Sequence, residues 1–114
     1  MKRILILVLV AMIGLVAVAA AGEEAKKEEA KPVTLTGEVI DLYCYMGHKA
    51  QGAEHAKCAN ACITKGIPAG FLTADGTLYI IIGKDHNPAN AEIAAFAGKQ
   101  SAITGKVSEN NGVK

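Results

Sequence analysis

Soft and borderline metal-ligand side chains crowd nineteen consecutive positions of this chain: Cys44, Met46, His48, His55, Cys58 and Cys62. All three cysteines of the sequence fall there, with two of its three histidines. Ala53–Lys65 is alanine-rich and free of proline and glycine, and Gly66 follows as a stop signal, so the spacing predicts a helix. On that helix His55, Cys58 and Cys62 stand at i, i+3 and i+7, within roughly 60° of one another around the axis. Cys44 approaches from the end of the preceding strand. Three thiolates and an imidazole suit zinc in a closed tetrahedral site, and thiolates with Met46 nearby suit copper(I) equally. Cys44, Cys58, Cys62 and His55 are the expected ligands, with His48 the alternative fourth donor. Asp41 is placed to orient a ligand histidine, or more plainly to cap a turn. His86, in Lys84-Asp85-His86-Asn87-Pro88, reads as a loop residue or an additional ligand.

Two other chemistries compete for the same residues. A disulfide from Cys44 to Cys58 or Cys62 would staple the segment to the first strand and leave one thiol over. Cys58 with Cys62 is disfavoured while the helix is intact, because i, i+4 Cβ atoms lie about 5–6 Å apart, against roughly 3.5–4.5 Å in a disulfide. A cysteine activated by His55 is the third reading, yet no C-x-x-C, oxyanion donor or acid/base pair accompanies it. A binding or accessory role is therefore expected ahead of catalysis.

The N-terminus places this chemistry outside the cytoplasm. Met1-Lys2-Arg3, the apolar run Ile4–Val18 and small residues with A-x-A character at Ala19 and Ala21 read as a signal peptide over 1–21. Membrane attachment would follow only if that segment stays uncleaved. The charged stretch 22–32 reads as a solvated linker. A domain over 33–114 remains, small enough that a metal or a disulfide would help it fold. Within it seven lysines and seven acidic residues balance, and the one arginine of the chain is Arg3, so no nucleic-acid surface is expected. A periplasmic or secreted protein results, whose partners are a metal ion and, at most, another extracytoplasmic protein.

The elements that must position the ligands follow from periodicity. Val33–Tyr43 reads as a strand kinked near Gly37, and Asp75-Gly76 between apolar runs as a hairpin turn. The continuously apolar Tyr79–Ile82 reads as a central strand, 89–97 as a short helix and 100–108 as a strand. Asn110-Asn111-Gly112 then turns the chain toward a final strand. Leu35-Thr36-Gly37-Glu38-Val39 is echoed by Ile103-Thr104-Gly105-Lys106-Val107, which suggests two neighbouring strands. This order matches a mainly β, OB-like five-stranded barrel with the metal-ligand insertion at 44–66 between strands one and two. The run Gly37-Glu38-Val39-Ile40-Asp41-Leu42-Tyr43-Cys44, then His55-x-x-Cys58-x-x-x-Cys62 and Gly66-Ile67-Pro68, resembles small exported bacterial proteins with an OB-like barrel and an inserted Cys/His segment. That resemblance implies a fold and a compartment. It implies no activity.

Overall fold

A computed structural model describes residues 29–114. The signal segment expected over 1–21 and most of the 22–32 linker lie outside the described residues. Strand β1 (Val33–Asp41) runs into helix α1 (Leu42–His48), followed by α2 (Ala56–Thr64), β2 (Ala69–Thr73), β3 (Leu78–Ile80), α3 (Asn90–Ile93) and β4 (Gln100–Gly105). Single 3-10 turns cover Lys84–His86 and Ala94–Phe96. No helix of the described residues is long and apolar enough to cross a membrane.

The strands form an open antiparallel sheet in the order β3-β2-β1-β4, not a closed five-stranded barrel. β1 is central: Gly37–Asp41 pair with Thr73–Ala69 of β2, and Val33–Glu38 with Gly105–Gln100 of β4. The echoed segments are thus paired strands, Leu35 opposite Ile103. Closure fails because the outer strands are short. β3 has three residues and β4 six, too few to tilt and meet around a barrel, and β1 and β2 stand between them. The expected fifth strand is reduced to a tight turn bridging Asn110 and Val113, after which the Lys114 carbonyl accepts one bond from the Ile80 N–H at 2.7 Å.

Tyr79–Ile82 is likewise an edge, not a centre. Tyr79 and Ile81 pack on the core, whereas Ile80 is 41% and Ile82 82% exposed. An unbroken apolar run here hides an ordinary period-two strand. The hairpin is as the Asp75-Gly76 pair requires: Thr73 and Thr77 bond across it, and the Asp75 carboxylate accepts from the Thr77 N–H and the Thr73 hydroxyl.

One face of the sheet carries the core. Val39 and Phe71, opposite each other across β1 and β2, meet Ala59 and Ile63 of α2 and Ala94 and Ala97 beyond α3. Ala59 and Ile63 are i and i+4, so α2 buries one stripe, and Ile63 is fully enclosed. Alanines at the contact let the backbones approach closely. At Gly37 a Cβ would lie 2.4 Å from the Leu72 carbonyl oxygen, so the crossing of β1 over β2 requires glycine. Two asparagines tie α2 down. Asn90 donates to the carbonyls of Ile63 and Ile67, the former shared with the Gly66 N–H, and Asn60 donates to the Ala94 carbonyl at 2.7 Å.

Candidate metal centre

The site begins where β1 stops. Asp41 is fully buried, and its Oδ1 accepts the Cys44 N–H at 2.8 Å, which makes it the N-cap of α1. Leu42 and Tyr43, expected in the strand, are therefore helical. Cys44 lies in the first turn of α1, about 100° per residue from its neighbours instead of alternating with them. The second carboxylate oxygen, Oδ2, stands 2.9 Å from His55 Nε2. His55 is the residue before α2: its N–H bonds the Gly52 carbonyl, and its own carbonyl accepts the Ala59 N–H. The expected helix over 53–65 is thus shorter at its start, with a turn at 53–55 before Ala56.

Two overlapping groups result. The Sγ atoms of Cys44, Cys58 and Cys62 all lie within 4.8 Å of one another, and ligand atoms of Asp41, Cys44 and His55 meet the same limit. Cys44 belongs to both. Either group is geometrically able to hold a metal ion. Sulfurs bound at ~2.3 Å in a tetrahedron sit about 3.8 Å apart, so a side-chain adjustment of roughly an ångström is enough to close on an ion. The expected Cys₃His set is divided: the sulfurs converge, while the imidazole stands on the Asp41 side of Cys44 and bonds the carboxylate. His48, Met46 and His86 join neither group. His48 ends α1 exposed, Met46 is 73% exposed, and His86 is exposed in the 3-10 turn with φ 62°.

The electrostatics ask for a cation. Burial, then hydrogen bonding to Asp41 and its charge, with the other two cysteines adding, push the Cys44 thiol up from 9.0 to about 12. Cys62 is raised by burial, by the charge of Asp41 and by Cys58. Burial works to raise the Asp41 carboxyl too, but the Cys44 N–H, the His55 ring and the Cys44 thiol together hold it below the ordinary range. Cys44 and Cys62, this close to other sulfurs and to a carboxylate, hold their protons more tightly in the absence of a positive centre. A bound metal would displace those protons.

The same arrangement speaks against a cysteine nucleophile. Cys44, His55 and Asp41 have the residue types of a catalytic triad, but the carboxylate sits between cysteine and histidine and touches both. A thiol raised to about 12 is the reverse of an activated one. All three cysteines carry free thiols in this structure: Cys58 is exposed, Cys44 and Cys62 half-buried. Sequence reasoning gave Asp41 a supporting part and missed helix α1. The signal was Asp41 three residues before Cys44, the spacing at which a capping carboxylate reaches a backbone N–H. Comparison of the chain with protein-family models, curated proteins and solved structures found no match.

Proposed function

We propose that this chain is a small extracytoplasmic protein that binds one thiophilic transition-metal ion, zinc or copper(I), in an accessory role such as buffering or delivery. The convergence of the Cys44, Cys58 and Cys62 sulfurs supports this reading. Copper(I) is satisfied by three sulfurs. Zinc needs a fourth donor, which a water molecule supplies while His55 stays on Asp41. Exposed Cys58 gives the ion a path to solvent and to an incoming ligand from another extracytoplasmic protein. The compartment rests on the signal-like pattern of residues 1–21, and attachment to a membrane on that segment remaining uncleaved.

Elemental analysis of protein purified from a periplasmic extract, with thiols counted before and after chelation, tests the proposal. One equivalent of zinc or copper, and three thiols titrating only after chelation, is the expected result. Cys58→Ser should then lose the ion. Material free of metal that also takes up neither zinc nor copper(I) on reconstitution ends the proposal.

A second reading draws on the same convergence: Cys44 and Cys62 come from different helices yet lie close together. Oxidised to a disulfide, they would leave a stapled ligand- or protein-binding module with Cys58 as a spare thiol. One free thiol, unchanged by chelator, would favour it.

A further inference from the structure

Glu38 is the buried acid that the metal centre does not use. Side chains alternate along β1, so Glu38 points to the face of the sheet opposite Val39 and α2. It is only 8% exposed. On that face it lines an open cleft of about 310 Å³, walled by Tyr45 of α1, Gln51, Leu72, Thr73 and Gln100. The sheet register places Leu72 and Gln100 directly across from Glu38, one on either side.

The carboxylate is half satisfied. Oε1 accepts the Gly52 N–H, while the other oxygen has no protein hydrogen bond and the group no ion-pair partner among the described residues. No fully enclosed side-chain oxygen lacks a partner, so this one opens into the cleft. No lysine, arginine or histidine lines the walls. A largely buried carboxylate with one hydrogen bond and no cation leaves its second oxygen to whatever fills the cleft.

We propose that this cleft is a binding site for a short aliphatic primary amine in its ammonium form. Glu38 supplies the charge, and the amide oxygens of Gln51 and Gln100 and the hydroxyl of Tyr45 are the acceptors for the remaining N–H groups. Leu72 and Ala74 give the carbon chain an apolar wall. Two alternatives are disfavoured by donor chemistry. A guanidinium fork is best met by two unencumbered carboxylate oxygens, and here Oε1 also holds Gly52. A divalent ion needs several charged oxygens, and the cleft has a single acid. None of the three cysteines lines the cleft.

The test is a titration of the full chain with n-butylamine at neutral pH, followed by amide chemical shifts. Saturable shifts confined to residues around Gly52, Leu72 and Gln100, with a dissociation constant on the order of millimolar, are expected for one charge pair in an open cleft. Glu38→Gln keeps the carbonyl acceptor for Gly52 and removes the charge, and should weaken binding at least tenfold. Gln51→Ala, on the exposed wall, should weaken it severalfold and guards against a folding defect in the first variant. Butanol or guanidinium binding as tightly as butylamine, absence of cleft shifts, or unchanged affinity in both variants overturns the proposal. Zinc-loaded and zinc-free protein should give the same curve.

Discussion

Asp41 joins more of this molecule than any cysteine does. Its carboxylate ends β1, caps α1 through Cys44 and holds the ring of His55, so one buried charge fixes the approach of three elements. Asp41→Asn keeps the shape but loses the charge and presents an amide N–H where an acceptor was needed. Metal affinity should fall about 10–100-fold, as for other changes just outside the ligand shell, measurable by competition with a chromophoric chelator. The pH dependence of the metal-free protein has a definite sign on both sides. Asp41 is shifted down in the folded state, so its contribution is complete above the ordinary carboxylate range and is lost as pH falls through its folded value. Cys44 is shifted up, so its contribution is complete below its ordinary value of 9.0 and is lost as pH rises toward about 12. Denaturant midpoints measured across pH should therefore fall at both ends, and the acid limb should flatten in Asp41→Asn. An acid limb that the substitution leaves unchanged would contradict this account.

At the scale of elements, α2 carries two sulfurs and is held by burial and by amides. Ile63 is fully enclosed among Val39, Phe71, Ala59 and Ala94. Ile63→Ala should cost about 2–5 kcal/mol in urea unfolding and weaken the metal site with it, because Cys62 is its neighbour on the helix. A stability loss below ~1 kcal/mol would show that α2 does not depend on this contact. Much of α2 was readable beforehand, since its alanine content, its breakers and its spacing all agree. The start of α2 and all of α1 were not. The apolar pattern of Val39–Tyr43 continues across Asp41 without a break, and only the carboxylate, turning to cap a helix, stops the strand. The i, i+3 spacing of Asp41 and Cys44 was the local hint of a cap. The choice of helix over strand also rests on a contact the pattern does not carry, the carboxylate against His55 fourteen residues on.

The whole molecule is small, and its sheet is open at both edges. Barrel closure was inferred from element order, which a four-stranded sheet with an inserted helical segment satisfies equally well. What separates them is strand length, set by where pairing runs out: three residues at β3, six at β4. A domain of this size has few buried apolar groups to spare, so a ligand bound only by the folded form weighs heavily. At a hundredfold excess of free ion over its dissociation constant, the gain is about 2.7 kcal/mol. For fewer than a hundred residues that raises the melting temperature by roughly 10–20 °C. Calorimetry with and without zinc or copper(I) checks it. A shift under about 3 °C at saturation would mean that the unfolded chain binds the ion nearly as well.

Gly98 gives these ideas a distant handle. Its N–H bonds the Val39 carbonyl, and a Cβ there, at φ +69°, would fall 2.6 Å from that of Ala56. Val39 lies two residues before Asp41, and Ala56 directly follows His55. A methyl group added more than forty positions downstream would thus wedge the acid and the imidazole apart without touching either. In an unbiased mutagenesis screen for lost metal uptake, Gly98→Ala should surface beside the cysteine substitutions, mimicking a missing ligand while every donor atom is still encoded.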